Sequence, residues 1–304
     1  MRRLVGLVLV LLLLVATGLW IATAPKTVDP AMLPSRPADL ANGRTMFLAG
    51  GCAECHVSAG QDDRQKLGGG MALKSGFGTF HVPNISPHPR DGIGGWSEAD
   101  FVSALMKGTS PDGRHYYPSL PYTSYQRMDV SDVRDIFAYI KTLPSVEGAV
   151  RDHELPFPFN IRRGLGLWKL LYLDGEPFRP DAGRSATWNR GAYLVNGPGH
   201  CGECHTPRNF IGGPIRSLMF AGGPSPEGEG WIPNITQKPL RDWSEKDFAD
   251  MLDTGRTPEG ESLSGAMRDV IQNTAQLSPH DRAAMGDYLK SLPAIEGPAR
   301  PAAN

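Results

Sequence analysis

The segment NGRTMFLAGGCAECH at 42–56 is written again, with changes, as NRGAYLVNGPGHCGECH at 189–205. Two more pairs follow. VPNISPHPRDGIGGWSEADFVSALMKGTSPDG at 82–113 answers IPNITQKPLRDWSEKDFADMLDTGRTPEG at 232–260, and DVSDVRDIFAYIKTLPSVEG at 129–148 answers LSPHDRAAMGDYLKSLPAIEG at 277–297. The offset stays between 147 and 150 residues throughout. A chain that repeats itself at one offset is expected to fold as two copies of one unit. The 304 residues leave about 110 for each, a usual domain size.

All four cysteines, Cys52, Cys55, Cys201 and Cys204, lie in the two C-x-x-C-H units that end the first pair. That spacing is the attachment signature of c-type haem. Residues three and four apart share one face of a helical turn, so two thiols and an imidazole can meet one flat ring. The thiols form thioethers, and His56 or His205 supplies the proximal nitrogen to iron. A zinc site of two C-x-x-C pairs would not need a histidine repeated in the same place. A thioredoxin-like pair would follow a strand, and no βαβ pattern surrounds either motif. Small-loop disulfides leave the histidine unexplained. The expectation is two covalently bound haem c groups.

Charge adds little. With 31 basic and 32 acidic residues the formal charge is −1, and no basic run argues for nucleic acid. The N-terminus says more. After Arg2 and Arg3 comes an uncharged run from Leu4 to Ile21, eighteen residues. At ~1.5 Å each these reach about 27 Å, close to a hydrocarbon core of ~30 Å. A small-x-small site at Ala22–Ala24 raises the alternative of a cleaved signal, but Pro25 directly after it would obstruct a peptidase. The retained anchor is the preferred reading, with Trp20 at the interface, Arg2 and Arg3 inside, and everything beyond outside.

Each copy reads as short helices joined by Gly/Pro-rich loops. One helix leads into each C-x-x-C-H, through Arg44–Phe47 or Arg190–Val195. A second starts at WSEADF or WSEKDF, where Ser97 with Asp100, or Ser244 with Asp247, has the spacing of a capping box. A last helix carries Val133, Ile136, Phe137 and Ile140 at helical spacing and stops by Pro144, and its counterpart stops by Pro293. No period-two run of useful length appears. Trp96, Trp243, Tyr139 and Tyr288 read as packing residues. Asn84 and Asn234 are candidates for hydrogen bonds to a haem propionate, with an Asx-turn as the competing role. Between the copies, a short apolar helix around Leu165–Leu173 reads as a linker packed between two domains. Arg162, Arg163 and Lys169 keep a membrane-surface role open.

The run LPFPFNIRRGLGLWKLLYLDGEPFRPD, followed by WNRGAYLVNGPGHCGECHTPRN and GWIPNIT, resembles the cytochrome c subunits of membrane-bound bacterial dehydrogenases of the alcohol, gluconate, sorbitol and aldehyde type. The similarity runs from about residue 38 to 297. The resemblance implies an all-α fold, two tandem class I cytochrome c domains preceded by one transmembrane helix. The expected division is a signal-anchor helix at 1–25, a linker at 26–37, domain 1 at 38–149, an interdomain linker at 150–183, domain 2 at 184–297 and a tail at 298–304. It further implies a membrane-anchored relay at the bacterial inner membrane with its haem domains on the periplasmic side. The donor is the catalytic subunit of a periplasmic dehydrogenase, and the acceptor a downstream cytochrome, oxidase or quinone of the respiratory chain. Two departures stand out. Familiar subunits carry three haem domains where this chain ends after two, and the family's AMPY is SLPY at 119–122.

The second departure touches the iron. Class I cytochromes usually place a methionine sulfur opposite the histidine. Met267, in an expected loop ten residues before the last helix, resembles the family's ligand position. In the first copy that position aligns with Leu120, which cannot bind iron, so Met128 is the candidate, with Met71, Met106 and His115 behind it. The missing methionine also sustains an alternative function: a dihaem enzyme, peroxidase or thiosulfate-dehydrogenase-like, with one open or replaceable ligand and with Arg114 and His115 nearby. The electron relay without catalysis of its own is the preferred reading.

Overall fold

The computed structural model describes residues 1–226, 230–236 and 240–300. The apolar run forms helix α1, Arg2–Ala22, long and apolar enough to cross a membrane, with none of its residues buried. Helix α2, Leu40–Ala49, begins where the Asp39 carboxylate accepts from the backbone of Ala41 and Asn42. The first attachment motif is a one-turn helix, α3, Cys52–His56. Helix α4, Glu98–Lys107, starts in the expected capping box of Ser97 and Asp100. A turn of helix, α5, Tyr122–Tyr125, leads into α6, Val130–Ile140, which buries Val133, Ile136, Phe137 and Ile140.

After the linker helix α7, Leu165–Tyr172, the pattern returns. Helix α8 is Ala186–Asn196, and α9 is the second motif, Cys201–His205. Helix α10, Glu245–Thr254, has the matching capping box of Ser244 and Asp247. Helices α11, Ala266–Thr274, and α12, Pro279–Ser291, complete the half. In the first half α2 and α4 pack on α6; in the second α8 and α10 pack on α12.

Both halves close by the same crossing. A Cβ on Gly43 of α2 would lie 2.1 Å from the Asp135 carbonyl oxygen of α6, and one on Gly191 of α8 would lie 1.8 Å from that of Ala284 on α12. Only glycine allows helices so near. The tryptophans and tyrosines pack as expected. Tyr139 meets Phe47 at 5.3 Å between centroids, Tyr288 meets Trp188 at 5.2 Å, Trp243 meets Phe248 at 5.3 Å, and Trp96 is half-buried against the core.

Three expectations need correction. Short β-hairpins occur, Ala72–Ser75 with Gly78–His81 and Gly223–Pro224 with Trp231–Ile232. Four residues per strand at most is too short a run for alternation to show. Met267 is the second residue of α11 rather than part of a loop. Lys169 is not a surface cation, and Arg162 and Arg163 are themselves half-buried over the Tyr117 and Trp20 rings. Lys169 is buried, and its ammonium donates to the carbonyls of Lys107 at 2.8 Å and Gly108 at 2.6 Å and to His115 Nδ1 at 3.1 Å.

Candidate functional site

Each attachment turn is held the same way. His56 Nδ1 is 2.8 Å from the Pro83 carbonyl, and His205 Nδ1 is 2.8 Å from that of Pro233. A carbonyl only accepts, so Nδ1 carries the proton and Nε2 keeps its lone pair, the arrangement of a metal-binding imidazole. Burial lowers both imidazoles, His56 to about 4, which keeps them neutral. The histidine carbonyls accept from Gly69 and Gly222, at 2.9 and 2.8 Å. Gly69 has φ +70°, and a Cβ there would meet the carbonyl oxygens of Val82 and Pro83 at 2.5 Å, so a side chain would push the PNI loop off the histidine. None of the four cysteines forms a disulfide. Burial raises the Cys52 and Cys201 thiols to about 12.

The two turns abut. His200, directly before Cys201, reaches with Nε2 to the Gly50 carbonyl at 3.3 Å, and Tyr125 OH donates to the same oxygen at 3.3 Å. The His200 and Tyr125 rings meet edge to face, 5.7 Å between centroids. His200 has φ +37°, a left-handed conformation that a Cβ disfavours; its counterpart Gly51 has φ +57°.

Two glutamates cross the same seam in opposite directions. Glu54, inside the first motif, accepts from Asn273 Nδ2 of the second half at 2.7 Å. Glu203, inside the second, accepts from Thr123 Oγ1 at 2.5 Å and Ser124 Oγ at 2.8 Å of the first half. Their electrostatics differ. Burial raises Glu54 to about 7, against the partial opposition of Asn273 and Arg64. Burial also pushes Glu203 up, but the Arg208 charge and the Thr123 and Ser124 hydroxyls outweigh it and hold it below the usual range. None of these seam residues stood out in the sequence, although the paired Glu54 and Glu203, and a histidine replacing a glycine, are visible in the repeat.

The remaining candidates divide. Both Asn84 amide hydrogens are spent on the carbonyls of Val146 and Gly148, at 2.8 and 3.0 Å, while Oδ1 accepts from Ser86 N. That is the Asx-turn role, with no donor left for a propionate. Asn234 makes the same turn, its Oδ1 accepting from Thr236 N, and gives one amide hydrogen to the Ile295 carbonyl at 2.8 Å. Met267 is half-buried on the second half's core. Met128 is fully buried at the seam, where a Cβ on Gly197 would lie 3.5 Å from its Cγ. His115 is occupied at both nitrogens, by Lys169 and by the Thr23 carbonyl at 2.9 Å, so it is not aimed at an iron.

The cytochrome c family model matches residues 40–144. A protein described as a dihaem c-type cytochrome, from Cereibacter sphaeroides, is 49% identical over 299 residues, covering 97% of this chain and 100% of that one. The chain belongs to the cytochrome c family. The cytochrome is also 37% identical to the fructose dehydrogenase cytochrome subunit of Gluconobacter japonicus over 272 residues, 88% of this chain and 55% of that one. It is 35% identical to the cytochrome c subunit of the quinone-dependent alcohol dehydrogenase of Gluconobacter oxydans over 260 residues. It spans about half the length of these two subunits, 55% and 52%. Both of these relatives are named as cytochrome subunits of dehydrogenases, and membership of the cytochrome c family makes this chain an electron-transfer protein. The residues present fit covalent haem c: paired cysteines outside any disulfide, followed by a neutral imidazole with its outer nitrogen free for iron.

Proposed function

We propose that this cytochrome is a membrane-anchored dihaem protein relaying electrons from a periplasmic dehydrogenase to the respiratory chain. Its domains are residues 38–149 and 184–297, attached through Cys52, Cys55 and His56 and through Cys201, Cys204 and His205. When bound, haem c supplies an iron that takes up and releases single electrons. The observation that carries the reading is the seam. Gly50, Tyr125 and His200 join the two attachment turns directly, and Glu54 and Glu203 lock them from both sides. Two carriers held by abutting turns suit a short internal relay. Met267 and Met128 are the distal ligands in this reading. The relatives' names motivate the dehydrogenase donor, and a cytochrome, oxidase or quinone is the acceptor.

Anchoring is supported by how α1 ends. Arg163 lies over the Trp20 ring at 4.1 Å, and the Thr23 carbonyl bonds His115. A leader destined for removal has no need of such contacts. The test is purification from membranes under mild detergent. Two haems per chain, an intact N-terminal peptide and a co-purifying catalytic subunit whose substrate reduces both haems are expected. One haem per chain, or no reduction by any co-purifying dehydrogenase, would sink the reading.

A further inference from the structure

Helix α7 has its polarity reversed. Leu167, Leu170 and Leu171, spaced three and four apart, point outward with 51%, 53% and 62% of their surface exposed. Lys169 points inward, 8% exposed, beside Trp168. A surface helix facing water has the opposite pattern. The same region exposes Phe157 at 78% and Phe210 at 92%. Trp168 ties the Phe210 loop to α7, since its Nε1 donates to the Ile211 carbonyl at 3.0 Å.

This apolar patch lies beside the exit of α1. A Cβ on Gly166 of α7 would fall 2.4 Å from the Thr23 carbonyl oxygen, and Thr23 is itself buried. Arg163, just ahead of α7, bonds the Trp20 carbonyl and covers its ring. The body is therefore clamped to the end of α1 rather than hung from a free tether. Whatever surrounds that end of α1 also meets α7. For a helix leaving a bilayer, the surroundings are headgroups and upper acyl chains, where tryptophan, arginine and exposed leucines all find partners.

We propose that the outer face of α7, with Phe157 and Phe210, seats in the interfacial layer of the membrane that α1 enters, holding the haem-bearing body against the lipid surface. This rests on α1 being a retained anchor. The experiment uses the full-length cytochrome in phosphatidylethanolamine/phosphatidylglycerol nanodiscs, with nitroxides on single added cysteines: Leu170→Cys and Phe210→Cys, Leu12→Cys within α1, and Glu261→Cys as an exposed control. Collision with oxygen against a water-soluble nickel chelate reads each environment, and the haem spectrum verifies folding. Labels at 170 and 210 are expected to shift toward oxygen, as at 12, while 261 favours nickel. If 12 is lipid-like and 170 and 210 are as watery as 261, the inference is overturned, even if adding a dehydrogenase subunit later covers them. If position 12 is watery or has been cleaved away, the anchor reading itself has failed and the inference falls with it.

Discussion

His200 meets Tyr125 edge to face across the line where the two attachment turns touch, from a backbone conformation that its neighbour in the repeat, Gly51, adopts without strain. The chain tolerates a left-handed histidine because its ring fills the seam and its Nε2 bonds Gly50.

That balance can be measured. His200→Ala keeps the backbone strain and loses the ring, so it is expected to cost on the order of 1–2 kcal/mol. His200→Gly loses the same contacts but relieves the strain, recovering roughly 1 kcal/mol. Urea unfolding of the holoprotein followed at the haem bands should rank wild type first, then glycine, then alanine. Alanine at or above glycine would contradict the account.

Met267→Ala is expected to lower the potential of one haem and open its ferrous iron to carbon monoxide, and Met128→Ala to do so at the other, because a soft thioether favours ferrous iron. Met128 is also fully buried packing, so Met128→Leu separates the roles. If the sulfur is the ligand, leucine exposes the iron as alanine does. A leucine variant with wild-type potential and no carbon monoxide band would reduce Met128 to packing.

Burial lowers Lys169 to about 7, with His115, the Lys107 and Gly108 carbonyls and the Tyr122 ring around its ammonium. In the unfolded chain lysine keeps its proton to about pH 10.4. Between roughly pH 7 and 10 the unfolded state therefore binds more protons, and stability rises with pH by on the order of 1–3 kcal/mol. At the bottom of the window His115, lowered by burial and then by the Lys169 charge, adds a little slope of the same sign, and Glu54, raised to about 7, subtracts a little. Unfolding midpoints across the range should climb in wild type and flatten in Lys169→Met. A flat wild-type profile would mean the lysine stays charged.

Gly43→Ala and Gly191→Ala each put a methyl into a backbone carbonyl of the facing helix. Each is expected to cost about 2–4 kcal/mol, in its own half. Hydrogen exchange should show the loss confined to α2 and α6 for the first and to α8 and α12 for the second. A loss spread evenly over both would argue for a single cooperative unit.

Much of this was readable in the chain because it is local. Ser97 with Asp100 and Ser244 with Asp247 cap their helices within four residues, and each C-x-x-C-H is a single turn. The seam was not readable, because Glu54 and Asn273, or Thr123 and Glu203, meet only after two distant segments have folded together. Lys169 shows the limit from another side. Its charge suggested an outward residue, but two carbonyls and a histidine supply in the interior what water would supply outside. The Asn84 amide was similarly ambiguous until the returning segment at 146–148 took its hydrogens.

The glycine crossings imply an order of assembly. Gly43 and Gly191 each wait for a partner roughly ninety residues further along, while the cysteines that follow them arrive within about ten. During synthesis each attachment turn therefore emerges long before the helix that completes its enclosure. That interval leaves the thiols reachable by whatever machinery joins them to the ring. Truncation before α12 would prolong the interval indefinitely for the second half, and the first half would already have passed through it.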